Sequence, residues 1–273
     1  MMNIKGKETM NRSIEDTPIV FVGAGNLATN LAKALYHKGF RIVQVYSRTE
    51  ESARTLAEQV EAEYTTDLQE ISKEAKLYIV SLKDAAFVEL LPQIAEGKQN
   101  ALLVHTAGSI PMSIWEGYAE RYGVFYPMQT FSKQREVSFR EIPFFIEAGR
   151  QEDAEFLKAV AATLSENVYE ATSEQRKSLH LAAVFACNFT NHMYALAADL
   201  LEKYNLPFDA MLPLIDETAR KVHELAPRDA QTGPAVRYDE NVIGDHLAML
   251  ADSPALQEIY KLMSKSIHEH HQL

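Results

Sequence analysis

The chain is poor in the features that would tie it to a membrane, a secretory route or a nucleic acid. Among its 273 residues there is one cysteine, Cys187. An internal disulfide framework is therefore excluded, and a reducing compartment, the cytoplasm, is expected. No apolar run reaches the ~18 residues that mark a bilayer-spanning helix. Basic residues number 27 against 38 acidic, a net charge of -11. A surface of that sign repels nucleic acid and anionic lipid, so neither is expected as a partner. No cluster of His, Cys and Asp has metal-ligand spacing, and no metal is expected. A Gly-x-Ser-x-Gly elbow is also missing. Residues 1–16 are polar and charged, lack the apolar centre of a secretory signal, and are expected to form a flexible leader.

What the chain does have is apolar residues, 47% of the total, enough for one large domain or two ordinary ones. Short apolar runs at residues 19–22, 41–46, 77–82, 101–105, 124–126 and 144–147 read as strands. Helical periodicity over 27–37 and 50–60 separates the first of them. Strands alternating with helices predict parallel β-α-β units buried on both faces, an α/β doubly wound sheet of the Rossmann type over residues 17–170.

After about residue 170 the pattern turns helical. Residues 173–204 contain neither proline nor glycine and predict one helix about 45 Å long at 1.5 Å per residue. Ser173 is the expected N-cap, with Arg176 three residues on and so no capping box. The middle of this helix is apolar nearly all round, as in a central buried helix or a subunit interface. Helices over 208–225, 241–250 and 254–267 complete an all-α domain at 171–273.

Residues 21–30 read FVGAGNLATN. Gly23, Gly25 and Ala28 have the spacing Gly-x-Gly-x-x-Ala, with Ala24, Asn26 and Leu27 between them. Alone the pattern is weak, but here it follows a strand and opens a helix in the first β-α-β unit, where a dinucleotide fingerprint belongs. Gly23 permits the tight turn, Gly25 a close approach to pyrophosphate, and Ala28 close helix-strand packing, with the pyrophosphate on free N–H groups of the helix. A bare turn is the alternative. The end of the second strand then separates NAD from NADP. An NAD site usually carries Asp or Glu there to bind the ribose hydroxyls. This chain has Ser47, Arg48 and Thr49, which suit a 2′-phosphate. NADP is favoured over NAD.

Ligands of such sheets lie beyond the carboxyl ends of the strands. Ser81, Leu82, Thr106, Gly108 and Ser109 are candidates to line the cofactor there. Lys83 is a candidate for ribose or substrate, unless Lys83 and Asp84 are an ordinary helix start with Asp84 as N-cap. His105 is either an acid or a structural histidine. On the long helix His180, Val184, Asn188 and Asn191 recur at four- and three-residue spacing and share one face. Such a polar stripe needs partners, supplied either by a substrate pocket or by neighbouring helices. Cys187 and His192 read as packing, and Cys187 as unreactive in its apolar setting. Gly233 and Pro234 mark a turn in a polar interruption, where Arg237 can hold an acidic substrate or the segment merely connects helices. The tail His268, His270 and His271 reads as a frayed terminus.

Taken together, IVFVGAGNLATNLAKAL, LYIVSLKD, VHTAGS, YPMQTFS, HLAAVFACNFTNHMYAL and QTGPAVRYDENVIGDHLAML resemble an uncharacterised family of Rossmann-like oxidoreductases whose C-terminal half is a domain of unknown function. The family is similar to pyrroline-5-carboxylate reductases and, more distantly, to 6-phosphogluconate and β-hydroxyacid dehydrogenases. The resemblance implies NADP at the Gly23 loop, a helical C-terminal domain of the 6-phosphogluconate dehydrogenase type, and a homodimer formed through it. Departures limit what carries over. Where β-hydroxyacid dehydrogenases have a lysine four residues before the helix asparagine, this chain has Val184 before Asn188. The Ser- and Gly-rich helix entry of pyrroline-5-carboxylate reductase is missing, and Tyr238 replaces a glycine of the resembling family.

The expected function is hydride transfer between NADPH and a small carbonyl or imine substrate, in the manner of pyrroline-5-carboxylate reductase, with His180, Asn188, Lys83 and His105 as candidate proton donors or positioners. The rival classes are a non-catalytic NADP(H)-sensing protein and a structural Rossmann domain with an empty site.

Overall fold

The structure, a computed structural model, describes residues 14–272. Most of the expected leader, residues 1–13, lies outside the described residues. Ile14 is buried and joins the hydrophobic core, so the chain is anchored from that point. Two compact units divide between Asn191 and His192.

The first unit is an eight-stranded sheet. β1 (Ile19–Val22), β2 (Ile42–Tyr46), β4 (Leu77–Val80), β5 (Leu102–His105), β6 (Arg121–Pro127) and β7 (Phe144–Ala148) follow the expected apolar runs. Two three-residue strands, β3 (Glu63–Thr65) and β8 (Val168–Glu170), were not expected. They form the two edges of the order β3-β2-β1-β4-β5-β6-β7-β8. All pairs are parallel except β6 with β7. The order reverses at β1, which lies between β2 and β4, and this is the switch point where such sheets open a crevice. Strands β1, β4 and β5 are buried along their whole length. Helices cover them on both faces. One core gathers α1 (Asn26–His37), α2 (Glu50–Gln59) and α4 (Gln151–Leu164), while the other gathers α3 (Asp84–Ala95) with Trp115.

The long helix differs from its expected form in three ways. Its N-cap is Thr172, whose side chain accepts from the Gln175 N–H while the Gln175 side chain accepts from the Thr172 N–H. That is a full capping box, one residue earlier than expected. The helix is not uniform: α5 (Ser173–Ala183) passes through a π segment, Val184–Phe189, into α6 (Thr190–Lys203). A π segment adds one residue to a turn, which sets Asn191 back by about 100° from the face of His180. The stripe expected over four residues therefore does not share one face. Cys187 is exposed rather than packed.

The second unit holds α7 (Leu212–Glu224), the single-turn helices α8 (Pro227–Ala230) and α9 (Pro234–Arg237), α10 (Glu240–Met249) and α11 (Pro254–His271), together with most of α6. Gly233, at φ +108°, opens α9, and Arg237, which ends it, is exposed. The tail is helical to His271, not frayed. His268 approaches the Val236 carbonyl at 3.3 Å and packs against the Tyr238 ring, tilted by 40°. Among the described residues of this unit, only Ala235, Leu250 and Ser264 are buried.

Candidate active site

The glycine loop sits at the switch point. Gly23 has φ +121°, and a Cβ there would meet the Ser81 carbonyl at 2.2 Å. Only glycine fits, because β1 and β4 approach closely just where the chain turns into α1. Gly25 is the reverse case: a Cβ there would meet nothing within 4 Å. As N-cap of α1 it contributes no side chain, so the first N–H groups of the helix face open space. Ala28 is fully buried beneath the loop.

A cleft of about 600 Å³ opens here. Gly23, Ala24, Gly25 and Asn26 form one wall. The end of β2 contributes Ser47, Arg48 and Thr49, and the end of β4 contributes Ser81, Leu82 and Lys83. Leu27 is half-buried against the core and, with Ala28, supports the loop rather than lining the cleft. Lys83 is the N-cap of α3, and Asp84 is its first residue rather than the cap. The Asp84 carboxylate accepts from the Ser109 hydroxyl at 2.5 Å, which ties the loop after β5 to the start of α3.

Thr106, Gly108 and Ser109 stand one strand further on. The Thr106 N–H donates to the Val80 carbonyl at 3.1 Å. Gly108 lies under His180: a Cβ there would come within 2.8 Å of Nδ1. The same Nδ1 is 3.4 Å from the Tyr126 hydroxyl at the end of β6. Burial raises the Tyr126 phenol, against the opposing pull of the Arg176 charge, so the hydroxyl keeps its proton near neutral pH. The protonated Tyr126 hydroxyl and the His180 Nδ1 thus stand at hydrogen-bonding distance across Gly108. His180 is half-buried.

The lining loop is held by a residue that the sequence reading passed over. Arg176, 1% exposed, pairs with Glu147 of β7 and donates to the carbonyls of Ala107 and Ile110 on either side of Gly108 and Ser109. Ser173 completes the network, donating to Glu147 and accepting from the Met112 N–H at 2.9 Å. The available signal was spacing: Arg176 and His180 are four residues apart, so they share a helix face.

His105 belongs to the core and is a structural group rather than an acid. It is buried against Phe87 and Trp115, and its Nδ1 accepts from the Ala107 N–H at 3.2 Å. Burial first, and the nearby Arg176 charge second, push its pKa down to about 3. The imidazole is neutral near pH 7 and has no proton to give as an acid. Asn188 lies exposed in the π segment, and no hydrogen bond joins it to His180 or Lys83 among the described residues. The structure thus gathers the cofactor candidates of β1, β2 and β4 in one cleft, and His180 with Gly108 beside it.

Among the described residues no helix is long and apolar enough to cross a membrane. Residues 142–267 match the family described as a domain of unknown function, DUF2520. Residues 18–108 match the family described as NADP oxidoreductase, coenzyme F420-dependent. A crystal structure from Bacteroides fragilis, of a protein described as a candidate NADP oxidoreductase, is 78% identical. The match covers 94% of this chain and 99% of that one, with a TM-score of 0.92. An imine reductase from Myxococcus stipitatus, solved with NADP+, is 17% identical with a TM-score of 0.67, over 92% of this chain and 93% of that one, a likeness of fold. The glutamyl-tRNA reductase of Methanococcoides burtonii is 29% identical over 96 residues, 33% of this chain, and the match spans only 23% of that protein. The chain belongs to the NADP oxidoreductases, with a DUF2520 domain as its C-terminal part.

Proposed function

We propose that the chain reduces a small carbonyl or imine substrate with NADPH. The cleft fits the dinucleotide: open space at Gly25, uncapped N–H groups on α1, and Arg48 with flanking hydroxyls at the end of β2. These residues would hold the pyrophosphate and the 2′-phosphate respectively. When bound, the nicotinamide supplies the hydride. The protein orients the substrate and delivers a proton.

The observation that carries this reading is the Gly108, His180 and Tyr126 arrangement. Tyr126 holds the His180 ring through Nδ1, which leaves Nε2 as the atom from which a proton is delivered to the substrate. Lys83, at the start of α3, is the candidate to orient a polar substrate group, and Asn188 remains a candidate positioner. Membership of an oxidoreductase family favours catalysis over a nucleotide sensor.

The helical unit supports a homodimer. Leu214 and Leu262 are 61% and 68% exposed in a unit with almost no buried core of its own, and Phe185 of the π segment is 63% exposed. An isolated chain would leave that apolar surface in water. The lone cysteine fits a cytoplasmic setting.

NADPH oxidation measured against a panel of cyclic imines and 2-keto acids tests the function. Turnover should fall roughly 100-fold in His180→Ala with NADPH binding intact. Intact NADPH binding with no turnover on any member of the panel would defeat the proposal. Light scattering should give twice the chain mass for the dimer, and a monomer at micromolar concentration would defeat that part.

A further inference from the structure

We infer that Lys133 is a pyrophosphate-binding residue of the cofactor cleft, delivered by a strap that α1 itself holds in place. The inference rests on the NADP reading above. The segment over 128–143 leaves the end of β6 and crosses α1 before β7 begins. Asn26 Nδ2 donates to the Phe131 carbonyl and Asn30 Nδ2 to the Ser132 carbonyl, each at 3.0 Å. Lys33 Nζ reaches Glu136 at 2.7 Å. Asn26, Asn30 and Lys33 are spaced by four and three residues, one stripe along the helix. On the far side of the strap, Phe139 is buried in the core and stacks on Phe131. Lys133 directly follows the two fastened carbonyls and lines the cleft beside Gly25 and Asn26.

Charge supports the assignment. Lys133, Lys83 and Arg48 reach this cleft from three different elements, against one acid, Glu89. A concentration of positive charge on a chain of net charge -11 points to an anionic ligand. Arg48, at the end of β2, is placed for the 2′-phosphate. The strap is fastened at Asn26, the first residue of α1, where the free N–H groups receive the pyrophosphate. Asn26 spends its amide on the strap and does not cap the helix, so those N–H groups stay open. An ammonium on a flexible stem suits a diphosphate approached from above, which needs charge more than a planar fork.

Fluorescence titration of the full chain with NADPH and with NADH tests this. Lys133→Met should weaken both about tenfold and leave their ratio unchanged, because a pyrophosphate is common to both. Asn30→Ala, which releases the strap one residue away, should weaken both by a smaller factor. Arg48→Met should weaken NADPH alone. A Lys133→Met protein that binds both nucleotides as the wild type does would overturn the inference, as would a loss confined to NADPH. A wild-type protein that binds neither nucleotide would instead overturn the NADP reading, and the inference with it.

Discussion

Arg176 and Glu147 form an ion pair beneath the loop after β5, with the arginine side chain 1% and the carboxylate 18% exposed. The guanidinium also donates to two backbone carbonyls, so a residue of the long helix sets the shape of the loop that carries Gly108 and Ser109. Removing one partner of such a pair leaves the rest of the network without its donor. Arg176→Met should cost about 3–5 kcal/mol, measured as a shift in urea midpoint. Arg176→Lys should recover little, since an ammonium cannot reproduce the fork that meets a carboxylate and two carbonyls at once. Wild-type stability in the methionine variant would show that the network is dispensable.

The two loop glycines should separate folding from binding. Gly23→Ala places a methyl group against the Ser81 carbonyl at a left-handed φ. It should destabilise by roughly 2–4 kcal/mol. Gly25→Ala meets no protein atom, so its melting temperature should stay near the wild-type value. Its NADPH affinity should fall at least about tenfold, because the methyl occupies ligand space. The same pattern in both variants would contradict the geometry.

Gly108 controls His180 by contact. An alanine Cβ would come within 3.0 Å of the His180 Nδ1, Cγ and Cβ atoms. Gly108→Ala should fold and lose about 100-fold in kcat, since displacement of a catalytic group by ~1 Å has that effect. Tyr126→Phe should leave the fold intact and change the His180 tautomer balance, read by nitrogen NMR of the imidazole. An unchanged spectrum would remove Tyr126 from its proposed role.

His105 should make the protein sensitive to acid. Its folded pKa is depressed to about 3, against about 6.5 in the unfolded chain. Below pH 6.5 the unfolded state binds a proton that the folded state refuses. The stability from this group is complete above that pH and is lost as pH falls toward 3, at about 1.4 kcal/mol per pH unit. The difference between wild type and His105→Gln, followed by chemical denaturation from pH 7 to 4, isolates the effect. Parallel curves would show that His105 titrates normally.

Much of this was legible in the sequence, for physical reasons that also mark its limits. Buried parallel strands such as Leu77–Val80 must be apolar on both faces, so they stand out as runs. Glu63–Thr65 and Val168–Glu170 lie at sheet edges, are only three residues long and carry charge, so no run marks them. The Gly23 loop was readable because backbone geometry there admits only glycine. Arg176 was not, because a lone arginine in a polar helix start looks solvated until the fold brings Glu147 to it. The π segment left no sequence signal, since it differs from the turns beside it only in its hydrogen bonding. His105 illustrates a third limit: the same histidine at a strand end reads as acid or as core until its neighbours, Phe87 and Trp115, are known.

The exposed Cys187 gives the π segment an experimental handle. It is the sole thiol of the chain, so a maleimide dye attaches at one position without any engineering. Cys187 adjoins Asn188 and lies two residues from Phe185 and Phe189. Its rate of labelling, followed as protein concentration or nucleotide is varied, would therefore register whatever comes to cover that stretch of helix, in the unmodified protein and in real time.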